Sequence, residues 1–270
     1  MPAYVPFAGK NSIVEATFGL QFAQPIVPQI SEKFGVLQSE LIGEFPSFEK
    51  MQMLQLTVGT PLQWGTTAQP TPTVGGFNAS KFKTDGKPSR TLRGMNNFLS
   101  AHFLEYETWA ETKADALRFF ARCTELLNVP SALNPIATIS LRFIDRFTFD
   151  GDPETASASQ LFKSSTKYIP PSILSAGNIW QSNSAWFDNL LGGQKCLHQL
   201  NIQGAKEADT AVVILNHNIN CNLDAPLTTM RENSGERTLE NVFDAQHKAN
   251  VDVLKNMLDE KMQKDIGLIG

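Results

Sequence analysis

The chain is short of charge. Charged residues make up 19% of its 270 positions, against about 25% in an average globular domain. Acids outnumber bases, 27 to 23, for a net charge of −4. That balance removes any whole-molecule electrostatic case for nucleic acid or an anionic membrane surface. Cysteine is scarce too: Cys123, Cys196 and Cys221 are far apart and odd in number. No disulfide framework is implied, and a reducing cytoplasm is the expected compartment. No apolar run approaches the roughly 18–20 residues that span a bilayer. The opening MPAYVPFAGK lacks a charged segment followed by an apolar one, so no signal peptide is expected.

Several chemistries lack their motifs. Gly192-Gly193-Gln194-Lys195 and Gly86-Lys87-Pro88 both fail the phosphate-loop pattern, which needs a preceding glycine at fixed spacing and a following Ser or Thr. No GxGxxG follows a strand, and no GxSxG elbow occurs. No carboxylate pair stands out for glycoside or phosphoryl chemistry. These absences point away from an enzyme and from a required cofactor.

What is present is a core. Hydrophobic residues are 41% of the chain and phenylalanine alone occurs 18 times. Ala137–Phe149 is the most informative segment. Its period-2 alternation puts Ile139, Leu141, Phe143, Phe147 and Phe149 on one face, with Arg142 and Arg146 on the other. Asp145 falls among the phenylalanines. Ser12–Phe22 alternates as cleanly, with Glu15 and Thr17 on its polar side. Val27–Phe34 reads as a short helix after Pro25, and Met51–Val58 as a strand. Pro61–Val74 reads as a loop. Phe77–Lys83 and Ser89–Phe103 form a hairpin across Asp85-Gly86.

Thr108-Trp-Ala-Glu111 is a capping box that opens a helix, and Pro130 lies just past its end. Asp150–Ser184 reads as irregular. Cys196–Gln203 and Asp209–Leu223 are strands joined by the polar turn GAKEAD. Asp224–Arg237 reads as a mobile polar loop. Thr238 caps a last helix running to about Lys264.

The expected fold is therefore α+β, as two similar halves. Each half is a mostly antiparallel sheet covered by a long helix. The halves are 1–130 and 131–270, packed as one globular unit. Their matching element order suggests an internal pseudo-repeat.

Four segments resemble one family. They are Ile13-Val14-Glu15-Ala16 with Phe18; Tyr106-x-x-Trp109; Leu141-Arg142-Phe143-Ile144-Asp145-Arg146; and His247-x-x-Asn250. Together they resemble the sporadically distributed uncharacterised prokaryotic family with an IVEA-x-F strand, a Y-x-x-W helix entry, an L-R-Y-I-N-R strand and a C-terminal H-x-x-N helix. Here Phe143 replaces the tyrosine, Asp145 the asparagine, and Val253 stands at an aromatic position. The resemblance supplies no activity. Its patchy occurrence implies an accessory role, such as phage defence.

Glu15, Arg142, Asp145 and Arg146 are the first ligand-binding candidates. Neighbouring strands would let Glu15 meet an arginine, as an anion clamp or as a salt bridge between the halves. His247 and Asn250, one turn apart on the last helix, are the second. They serve either a ligand or a helix–sheet hydrogen bond. For a metal, pairing around GAKEAD would set Cys196 opposite His217 with His198 two residues on, but no Cys-x-x-Cys or His-x-x-x-His spacing backs it, so no metal is expected. Lys81, Lys83, Lys87, Arg90 and Arg93 decorate the hairpin, where they more commonly guard a sheet edge than grip nucleic acid. The function expected is non-catalytic binding or regulation through a protein partner, a homodimer included. The alternative is a small-ligand or nucleotide-binding module using the Glu/Arg strand site.

Overall fold

The computed structural model describes residues 2–54, 72–230 and 238–269. The expectations for 55–58, for most of the Pro61–Val74 loop and for 231–237 lie outside these residues.

The described residues build one sheet. In order come β1 (Tyr4–Pro6), β2 (Ile13–Phe22), α1 (Val27–Leu41), β3 (Ser47–Leu54), β4 (Pro72–Phe82), β5 (Pro88–Met95), β6 (Phe98–Phe103) and α2 (Trp109–Leu127). Then follow β7 (Ile136–Phe149), α3 (Pro171–Leu174), β8 (Trp180–Asn189), β9 (Lys195–Glu207), β10 (Thr210–Leu227), α4 (Leu239–Met257) and α5 (Glu260–Asp265). The strands hydrogen-bond in the order β3-β4-β5-β6-β2-β7-β10-β9-β8, and β1 also pairs with β7, giving ten strands. Every pairing is antiparallel.

This corrects the expected fold class. There are not two sheets, each under its own helix. β2 and β7 are directly paired, Thr17 facing Arg142 and Phe18 facing Leu141, so one sheet runs unbroken through the middle of the molecule. The pairing of two strands over 120 residues apart in sequence is a tertiary choice that local alternation does not specify.

The helices gather on one face. α1 lies against β4 and β5, α2 against β6, and α4 against β7, with α2 touching both α1 and α4. Alternation sorts the strands accordingly. Phe18, Leu20, Phe77, Leu92, Leu99, Leu141 and Phe143 are buried under the helices with Phe119, Phe120 and Phe243. A second cluster holds Phe147, Leu200, Val213 and Leu215 beneath Leu254, Met257 and Leu258.

Local signals explain the helix ends. Thr108 accepts from the Glu111 backbone N–H and its hydroxyl donates to the Glu111 carboxylate, so the N-cap forms as expected while the Glu111 side chain bonds the hydroxyl rather than the Thr108 backbone N–H of a full capping box. α2 stops at Asn128, in the left-handed region at φ 54°. α4 is capped by Thr238, as expected. The last helix breaks at Leu258, where the backbone turns extended before α5.

Four further expectations change. α1 runs to Leu41 rather than Phe34. The Asp85-Gly86 hairpin is an interior part of the sheet, so its lysines and arginines guard no edge. Lys83 pairs with Glu105 and Arg90 with Asp115 instead. Asp224–Leu227, expected in a loop, continues β10. Among the described residues the sheet ends in β3 on one side and β8 on the other. The first half of β8, Trp180–Ser184, falls in the segment expected to be irregular.

Candidate functional site

The face without helices is rich in polar side chains, with Ile144, Ile214 and Leu197 among them. Antiparallel pairing keeps partner residues on one side of a sheet, so its rows can be read from the register. One row runs through Thr91, His102, Thr17, Arg142, Asn218 and Gln199. Another holds Glu15, Ile144, Asn216, Asn201 and Asn183.

Arg142 is the centre. It is half-buried on β7, and its Nε donates to Asn216 Oδ1 at 2.9 Å. That is its one hydrogen bond among the described residues. A shallow cavity of about 580 Å³ opens beside it, lined by Arg142, Asn183, Gln199, Asn201, Asn216 and Asn218. Asn218 and Asn220 both donate to Gln199 Oε1, at 3.3 and 3.2 Å. The wall is thus a lattice of amides, able to donate and accept, around a single guanidinium.

Glu15 does not clamp an arginine. Its Oε1 accepts from the Thr17 hydroxyl at 2.9 Å and lies 2.8 Å from His102 Nδ1. The His102 bond holds the Glu15 carboxyl below its ordinary range, with lesser help from Thr17 and from the charge of Arg142. His102 Nε2 in turn lies 3.0 Å from Ser100 Oγ. An acid, a histidine and a serine in a row suggest nucleophilic chemistry. Ser100, however, is only 2% exposed. It faces Gly19, where a Cβ would collide with Ser140 Oγ and the Phe98 ring. The row therefore fixes Glu15 and His102 beside Arg142 and does not present an open serine.

The remaining candidates lie elsewhere. Arg146 is on the open face but is held bidentately by Glu207, at 2.8 and 3.2 Å, with its guanidinium over Phe7. Asp145 is on the covered face, 1% exposed, and accepts from the Ser12 hydroxyl at 2.7 Å. Burial raises its pKa to about 6. His247 stacks on Trp109, with ring centroids 4.1 Å apart and planes within 4°. Trp109 Nε1 donates to Asp244 at 2.7 Å. The Y-x-x-W and H-x-x-N segments thus meet, joining α2 to α4. Asn250 is buried, its Oδ1 2.8 Å from His217 Nδ1.

The metal register is corrected. Cys196 faces Cys221, not His217, and the two are bonded as a disulfide. The turn is two residues, Ala208-Asp209, with Ala208 at φ 50°. Four residues expected in the GAKEAD turn extend the strands instead, which shifts every partner by four. His198 and His217 do come together, Nδ1 to Nε2 at 3.1 Å. No group of three or more metal-ligating side chains forms among the described residues.

His102 was missed from sequence. The signal was there: Phe98, Ser100 and His102 alternate with the buried Leu99, Ala101 and Phe103. Comparison with family models, curated proteins and solved structures finds no match. No helix among the described residues is long and apolar enough to cross a membrane.

Proposed function

We propose that this is a non-catalytic binding protein whose ligand is an oxyanion-bearing small molecule, a carboxylate or phosphate, taken on the open face at Arg142. One observation carries the reading. A half-buried guanidinium keeps its two terminal nitrogens free of partners among the described residues, beside a cavity walled largely by amides. A planar fork with open donors suits bidentate oxyanion recognition. The flanking asparagines and glutamines supply orientation without competing charge. Glu15, turned toward His102, discriminates against ligands with excess negative charge.

Calorimetric titration with succinate and with inorganic phosphate tests the reading. Arg142→Met should abolish binding while leaving the melting temperature near wild type. Equal binding by wild type and variant would remove Arg142 from the site.

A second reading is a protein partner, a second copy included, added at the β8 edge. Its support is that β8 spans ten residues without lysine or proline, and Phe187 is 60% exposed on it. Edges left so unguarded accept another strand. An accessory or defence role remains an analogy from the resemblance. The cytoplasmic expectation rests on low cysteine use. The Cys196–Cys221 bond weighs against it, because disulfides persist in oxidising compartments. Alkylation of these thiols in intact cells decides the compartment.

A further inference from the structure

A second site lies on the covered side of the sheet, independent of Arg142. A cavity of about 470 Å³ opens between β8, β9 and α4. His198, Trp186, Tyr168, Leu190, Asp188 and Asp252 line it. Its volume suits a small molecule.

His198 is 1% exposed, and its Nε2 is buried without a hydrogen-bond partner. A chain of bonds fixes what that nitrogen needs. Asn250 Oδ1 can only accept, so His217 Nδ1 carries the proton that bridges them at 2.8 Å. Burial lowers the pKa of His217 to about 4, so at neutral pH the ring holds one proton only. Its Nε2 is then a bare lone pair, and His198 Nδ1 must donate to it across 3.1 Å. Burial lowers the His198 pKa as well, against an opposing pull from Asp188. The last nitrogen of the chain, His198 Nε2, is left as an unanswered acceptor. It is one of six buried side-chain polar atoms without a partner among the described residues, and the one whose side chain lines this cavity.

The surroundings state the rest of the requirement. The Trp186 ring stacks on His198, 4.9 Å between centroids and 16° between planes, and Tyr168 lies 5.0 Å from Trp186. Leu190, Leu191, Ala249 and Val253 complete an apolar wall. The charged groups at the cavity are Asp188, Asp252 and Lys248. Lys248 pairs with Asp252 at 2.7 Å, so Asp188 is the uncompensated charge. Trp186 covers the histidine from β8, the terminal strand among the described residues, and its ring also packs on His217 and Tyr168.

We infer that this cavity binds a small organic amine, its N–H donated to His198 Nε2, its positive charge facing Asp188, and its apolar body against Trp186 and Leu190.

The test is long-range proton–nitrogen NMR on the imidazoles, with 2-phenylethylamine as the probe. In the free protein His198 Nε2 should show the shift of an unprotonated nitrogen. Adding the amine should move that resonance and the Trp186 indole signal together. The N,N,N-trimethyl derivative keeps the charge and the ring but has no N–H, and should leave the His198 signal in place. Asp188 is exposed, so Asp188→Asn should fold normally and bind the amine several-fold more weakly. A protonated Nε2 in the free protein, equal binding of the two compounds, or no binding of either would overturn the inference.

Discussion

β7 has two faces, and they treat polar atoms in opposite ways. Under the helices, Asp145 has one donor, Ser12, and no contact with water to speak of. Further along that face, Gln246 is fully buried and its Nε2 reaches the carbonyls of Ile139 and Ile219, tying α4 to β7 and β10, while its Oε1, like His198 Nε2, is buried without a partner among the described residues. On the other face Arg142 has one bond and open nitrogens, amid asparagines that bond one another. Where water is excluded, each polar group needs a protein partner and is destabilising without one. Where water enters, the same groups can exchange it for a ligand. The comparison separates residues that hold the fold from residues free to bind, although both sit on one strand.

The strongest break in that comparison comes from placing a charge on the covered side. Phe120 is fully buried on α2 and Leu254 nearly so on α4. Phe120→Asp and Leu254→Asp should each cost more than about 4 kcal/mol and yield no folded protein. Retention of wild-type melting by either variant would mean the helices do not cover the sheet as described.

Asparagine can be compared with itself across the sheet. Asn250→Ala strands the His217 Nδ1 proton in the interior and should cost about 1–3 kcal/mol in urea unfolding. Asn183→Ala, on the exposed end of the open face, should change stability by less than about 0.5 kcal/mol. Equal effects would erase the distinction.

Asp145 gives a pH test. Its carboxyl titrates near 3.8 when unfolded and near 6 when folded. Between these values the folded state binds more protons, so this group's contribution falls as pH rises through that window and stays low above it. Asp145→Asn keeps an acceptor for Ser12 and removes the charge. It should raise stability at pH 7 by about 1–3 kcal/mol and flatten the profile between pH ~4 and ~6. A loss of stability at pH 7 would show that the ionised carboxylate has partners other than Ser12.

The alternating strands were legible because burial on one face imposes period two. β7 shows it plainly, and β2 follows it from Glu15 onward, whereas a register shift at Val14 turns Ile13, expected beside Glu15, to face Asp145 on the covered side. The cap at Thr108 was legible because its chemistry is local. β8 was not: WQSNSAWFDN carries Asn183 on its open face and Ser182 and Ser184 on its covered face, opposite Ile202 and Leu200, and such composition imitates a loop. The partner of Cys196 was misplaced because the Ala208-Asp209 turn carries neither glycine nor asparagine to announce a two-residue hairpin. The error of four is even, so His198 and His217 still point to the covered side. The single sheet depended on β2 finding β7, and no local signal encodes that. Of the candidate site, Arg142 and Glu15 were readable by face, whereas His102 emerged only once β6 was seen beside β2.

The most direct test of the two-face account is an NMR titration of side-chain amide signals with succinate, in wild type and in Arg142→Met. The account expects Asn183, Gln199, Asn216 and Asn218 to shift in wild type and not in the variant, with Gln246 and Asn250 unmoved in both. Shifts at Gln246 or Asn250 with the open-face amides silent would contradict it.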